Sequence, residues 1–223
     1  MIAILKNPRI FFAAAMGLLL VTFLAVYAPA FALAGGLRLS PNAAVPVVML
    51  VTFVIAGGII GLYARRGGIT WAAFGFRLPS WRYIVCALIS AIPLSVSIAW
   101  LLGYVKEPGP LAGLTLAHWL IYVYFGLAAP IQEEVIFRGL LQTALADRLA
   151  DKPIYAATSG MIALVAVATL FGVIHLVVGP ATAAGALVLG LLAGELRRRS
   201  GSLLPAVICH SIFNLAGILW VMR

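Results

Sequence analysis

The stretch Pro130-Ile-Gln-Glu-Glu-Val-Ile-Phe-Arg-Gly139 decides how this chain is read. It places Glu133, Glu134 and Arg138 in a run otherwise apolar enough to lie in a bilayer. An ionisable side chain at the centre of a membrane helix costs about 2.5–3.5 kcal/mol on insertion scales, so three within six residues point to function. On a helix, Glu134 and Arg138 are four apart and share a face, where they can pair. Glu133 lies about 100° round from Glu134 and needs a partner from another segment. Pro130, one turn upstream, removes a backbone donor and is expected to free the carbonyl near Gly126. A kink or widened turn there would help open a wet cavity.

The rest of the chain says where this run sits. Of 223 residues, 64% are hydrophobic and 9% charged, far below the roughly 25% charged of a soluble domain. That composition fits an all-α, polytopic membrane helix bundle. The formal charge of +9 does not indicate nucleic acid, because the cations sit in short clusters at the ends of apolar runs. Such clusters are topology signals and contacts for anionic lipid headgroups. Cys86 and Cys209 both fall in apolar runs without metal-type spacing and read as small buried hydrophobes.

A span needs about 20 apolar residues, and about seven transmembrane helices can be drawn. The first is 10–34, whose apolar run is too long for a signal peptide. The second, 43–63, holds Gly57 and Gly61, a pair that permits close helix contact. The stretch 70–82 mixes Trp71, Phe74, Phe76 and Trp81 with Arg77 and Arg82, which suits the headgroup level. The third span is 83–104, followed by a turn-rich loop at 106–110. A long helical run covers 114–150. The fifth span is 155–178, the sixth 183–195, stopped by Arg197, Arg198 and Arg199, and the seventh 203–221. This divides the chain into N-terminal helices with an interfacial segment, 1–113, and a chemistry-bearing bundle, 114–223.

With a cytoplasmic N-terminus, Lys6, Arg9, Arg65, Arg66, Arg77, Arg82, Arg148, Lys152 and Arg197 to Arg199 all fall inside. Only Arg38, Lys106 and Arg223 fall outside, which is the orientation the positive-inside rule favours. No loop between spans is long enough to fold alone.

Three histidines remain. His118, beside Trp119 and Tyr122, reads as an interfacial residue. His175 closes Phe171-Gly-Val-Ile-His175, and His210 opens His210-Ser-Ile-Phe-Asn214. His210 and Asn214 share a helical face. Together with the acidic run, these polar groups lie in three separate apolar segments, and each needs a partner away from water. One shared cavity is the simplest solution. A carboxylate near a histidine can activate water, and a second histidine with an asparagine can donate to an oxyanion. These parts suit peptide-bond hydrolysis. The same Glu133, His175 and His210 could instead ligate zinc, although the HExxH helix of many zinc proteases is absent. A non-catalytic immunity or scaffold protein, or a proton-coupled transporter, could also use intramembrane Glu and His.

Glu133-Glu134-x-x-x-Arg138, Phe171-x-x-x-His175 and His210-x-x-x-Asn214 resemble the three motifs of the CAAX protease and bacteriocin-processing (CPBP) family. That family comprises multi-span intramembrane endopeptidases, including type II CAAX prenyl proteases. The resemblance covers about His118 to Ala216. It implies that Glu133 and His175 activate the attacking water and that His210 and Asn214 stabilise the oxyanion. Glu134, Arg138 and Phe171 become supporting residues. It further implies an integral protein of the cell membrane acting on a membrane-associated peptide or protein, prenylated CAAX proteins being the substrate of one branch. Members have been described as metalloproteases and as glutamate proteases without metal. Asparagine, a poor metal ligand and a good amide donor, favours the version without a cofactor. One tension stands: with these spans His175 falls far along its helix, whereas His210 lies only seven residues from the start of its own. Either the fifth span begins later, or strongly tilted helices meet near mid-membrane.

Overall fold

The computed structural model describes residues 7–67, 70–105 and 116–221. The loop at 106–110, the boundary at 113/114, Lys6 and Arg223 lie outside the described residues, as does the side chain of His118.

Among the described residues the protein is all helix and turn, with no strand. The long helices are α1 (Pro8–Gly36), α2 (Pro41–Gly67) and α3 (Trp81–Val105). Then comes the composite α4 of residues 118–150, a short turn Pro153–Ala156, α5 (Ser159–Ile174), α6 (Pro180–Ser200) and α7 (Leu204–Val221). Hydropathy explains the helices: in lipid every backbone N–H and C=O must be satisfied within the segment. Five of them, α1 to α5, are long and apolar enough to cross a membrane. The apolar part of α7, Leu204–Leu219, is shorter, and α6 ends in Arg197, Arg198 and Arg199.

Sequence punctuation matches the ends. Asn7 caps α1, its Oδ1 accepting from the Arg9 N–H at 2.9 Å, and Pro8 follows in the first helical position, where its missing donor costs nothing. Gly201 closes α6 in a left-handed conformation, φ 68°. The three arginines before it complement the negative end of the helix dipole.

The core helix pairs are α3 against α7 and α5 against α6. The second is close because glycines permit it. A Cβ on Gly172 would stand 2.9 Å from Leu187 Cβ and 3.2 Å from the Ala183 carbonyl oxygen. The close contact that Gly57 and Gly61 permit is not made among the described residues, where a Cβ on either meets nothing within 4 Å. Cys86 is exposed, against the expectation of burial, because it lies on the outer face of α3. Cys209 is buried as expected.

The aromatic stretch before α3 divides into an anchor and an exposed edge. Phe74 is fully buried, while Trp71, Phe76 and Trp81 are exposed. Backbone bonds pin the stretch to the α6–α7 turn. The Gly75 carbonyl accepts from Leu203 N–H at 2.9 Å, and the Arg77 carbonyl accepts from Ser202 Oγ at 2.5 Å. Arg197 Nη2 donates to the Ala73 carbonyl at 2.5 Å and to Thr143 Oγ1 at 3.3 Å. Burial, with Arg77 nearby, lowers the Arg197 guanidinium to about 10, which leaves it charged at neutral pH.

α5 begins at Ser159, later than the sequence suggested, so His175 stands roughly 24 Å along it at 1.5 Å per residue. The rings of His175 and His210 both pack against Phe171.

Candidate active site

The chemistry-bearing helix, α4, is not uniform. It reads α-helix His118–Val123, π-helix Tyr124–Ala128, α-helix Ala129–Glu134, π-helix Val135–Leu141 and α-helix Gln142–Ala150. The two glutamates therefore sit on a short α segment with a widened turn on each side, and such π segments recur at functional sites. The expected widening at Pro130 is present, with one correction. The Ala129 N–H reaches back five residues to the Tyr124 carbonyl. The next bond in that register would run from residue 130 to the Phe125 carbonyl, and proline has no N–H to give. The freed acceptor is thus Phe125, not Gly126. Asn214 Nδ2 donates to it at 2.8 Å.

Glu134 and Arg138 pair as their spacing foretold. Arg138 Nη1 donates to Glu134 Oε1 at 2.8 Å, and both side chains are almost wholly buried. The sequence did not foretell the second partner of that oxygen, His210 Nδ1, also at 2.8 Å. A carboxylate ionised beside arginine can only accept, so Nδ1 carries the proton and Nε2 is turned to the other side. His210 Nε2 faces Glu133 Oε2 at 3.8 Å, too long for a hydrogen bond. Glu134 Oε2 and Arg138 Nη2 are buried without partners.

His175 caps the end of α5, and its Nδ1 lies 2.7 Å from the Phe171 carbonyl oxygen. A carbonyl cannot donate, so this bond also fixes the tautomer and leaves Nε2 with a lone pair. The Phe171 ring is the hub between these groups. It stands 4.6 Å from the His175 ring, 5.8 Å from that of His210 and 4.8 Å from that of Phe137. The Arg138 guanidinium lies over it at 4.7 Å. Phe171 thereby holds both imidazoles, while its quadrupole faces the buried cation.

Glu133, Phe171, His175, His210 and Asn214 all line one cavity of about 330 Å³. Glu134 and Arg138 stand behind its wall. The remaining lining is mostly apolar and includes Ser95, Ile98, Ala99 and Leu102 of α3, and Thr182, Ala186 and Leu189 of α6. Those two helices carry no motif, and nothing in their sequences marked them as walls. Among the described residues, no three His, Cys, Asp or Glu side chains are drawn together closely enough to hold a metal ion.

Residues 114–216 match the family model "Rce1-like: Type II CAAX prenyl endopeptidase Rce1-like". No curated protein and no solved structure matches the chain. The match contains every residue of the three motifs from Glu133 to Asn214.

Proposed function

We propose, from the match of residues 114–216 to the type II CAAX prenyl endopeptidase family model, that this chain is an intramembrane endopeptidase of that family, in which Glu133 and His175 activate a water that cleaves a peptide bond in the cavity. The observation that carries this reading is the convergence of Glu133, His175, His210 and Asn214, from three helices, on one largely apolar cavity. Water delivered there meets two proton acceptors, the Glu133 carboxylate and His175 Nε2. Glu133 takes a proton as the water oxygen attacks the peptide carbonyl, and returns it to the leaving nitrogen.

The developing oxyanion is met by His210 and Asn214. Asn214 Nδ2 has two N–H bonds; one is held by the Phe125 carbonyl, which aims the other. His210 donates through Nε2 when its imidazole is doubly protonated, flanked by Glu133 and Glu134. Donors fixed in advance in an apolar site cost no reorganisation during the reaction. Glu134 and Arg138 act through His210 by holding its ring.

The substrate is a membrane-associated peptide or protein, with prenylated CAAX proteins as the class that the family's description names. The cation distribution supports a cytoplasmic N-terminus in the cell membrane. Purified protein in liposomes should cleave members of a panel of membrane-tethered peptides, with the cut sites mapped by mass spectrometry. His175→Ala should abolish the fragments. Activity lost to a chelator and restored by zinc would overturn the metal-free mechanism. Counterflow transport without cleavage would overturn the protease reading itself.

A further inference from the structure

One buried polar contact beside the motif takes no part in the chemistry above. Gln132 precedes Glu133 and points away from the cavity toward α1 and α2. Its Nε2 donates to Thr52 Oγ1 of α2 at 2.7 Å. Gln132 is 6% exposed and Thr52 is fully buried. The Thr52 hydroxyl proton is already given to the Val48 carbonyl at 2.7 Å, so its oxygen must accept, and this fixes the orientation of the amide. Tyr27 of α1 stands beside the same Gln132 side chain. The Tyr27 ring packs 6.3 Å from that of Phe137.

An apolar pair would fill this space more cheaply, because buried polar groups must satisfy each other in full. The flanking backbone supplies a reason for a polar one. The segment Ala129–Glu134 has a π-helical turn on each side, so its rotation is not fixed by an unbroken α ladder. Three side-chain ties hold it and the π-helical turn before it: Asn214 to the Phe125 carbonyl, His210 to Glu134, and Gln132 to Thr52. The first two belong to groups that meet the substrate. The third lies outside the cavity, with neither of its residues in the lining.

We propose that the Gln132–Thr52 bridge is a positioning device, by which the N-terminal helices set the rotation of the helical turn that aims Glu133 into the cavity. This rests on Glu133 being the base. Thr52→Val removes the acceptor at nearly constant volume, and Thr52→Ser keeps it. A misplacement near 1 Å costs on the order of a hundredfold in rate. Thr52→Val should therefore lower kcat by about ten- to a hundredfold with KM within about twofold. Thr52→Ser should restore kcat, and Gln132→Met should reproduce the loss.

A second measurement does not need proteolysis. Modification of Glu133 by a hydrophobic carbodiimide, followed by peptide mass spectrometry, reports its presentation to the cavity. Its rate should change in Thr52→Val and return in Thr52→Ser. An unchanged labelling rate and kcat, with only a lowered Tm, would make the bridge a structural tie and overturn the proposal. A labelling change in a protein that cleaves nothing would keep the bridge and sink the protease reading.

Discussion

α2 and α4 are both apolar helices of membrane-spanning length, yet they meet different surroundings. Half of the most apolar stretch of α4 is buried inside the protein, against 17% for α2. α2 keeps one α-helical register through Pro46 and leaves few of its side chains fully buried. α4 is broken twice by π turns and carries Glu133, Glu134 and Arg138. Mean hydropathy hides this difference. One helix is specified by the solvent around it, and the other by partners drawn from α1, α2, α5 and α7.

The largest effect that sharpens this contrast lies at Arg138. Removing one member of a buried pair strands the other, at a cost of about 3–5 kcal/mol. Arg138→Met should lower the melting temperature in detergent sharply, while Leu50→Met on the exposed face of α2 should leave it unchanged. A melt of Arg138→Met that matched the wild type would mean that Glu134 has neutralised itself.

Glycines give a smaller effect of the same kind. Gly172→Val must displace Leu187 or the Ala183 carbonyl, an overpacking that costs about 1–3 kcal/mol. Gly57→Ala meets nothing within 4 Å and should be neutral or slightly stabilising, since alanine favours the helix over glycine by up to about 1 kcal/mol. Equal losses at the two sites, read from thermal melts, would show that another protein segment covers α2.

The smallest effect concerns the exposed end of α6. The hydrogen bond from Arg198, aided by Arg199, holds the Glu195 carboxyl at about 2, below its ordinary 4.5. A carboxylate with a lowered folded pKa stabilises fully above its ordinary value and loses that contribution as pH falls toward the lowered one. Melting temperatures of the wild type should therefore fall between pH 4.5 and 2, and Glu195→Gln should flatten that slope slightly. The pair is solvent-screened, so the change is modest.

What the sequence could reveal follows from the range of each interaction. The Glu134–Arg138 pair is local, and its four-residue spacing showed it. The helices followed from hydropathy, because backbone satisfaction in lipid leaves helices as the only choice here, although among the described residues five rather than seven are long and apolar enough to cross a membrane. The His210–Glu134 bond joins residues 76 apart, and the Gln132–Thr52 bond joins residues 80 apart. No periodicity encodes such pairs. The Asn214 contact was further hidden, because only the π register makes Phe125 the freed carbonyl. α3 and α6 escaped notice as cavity walls, since Ile98, Ala99 and Leu189 look like any lipid-facing residue. The Gly57 and Gly61 pair makes the converse point, because small residues allow a close approach without requiring one.

The division of labour between the two adjacent glutamates is the central claim, and the kcat of Glu133→Gln in a stable protein tests it most directly. General acid–base groups contribute about 10²–10⁴-fold, so cleavage by purified Glu133→Gln in liposomes should fall by at least about a hundredfold. Its melting temperature should stay near the wild-type value, because Glu133 lines the cavity and its 3.8 Å approach to His210 is too long for a hydrogen bond. Cleavage retained near the wild-type rate would contradict the assignment of Glu133 as the base.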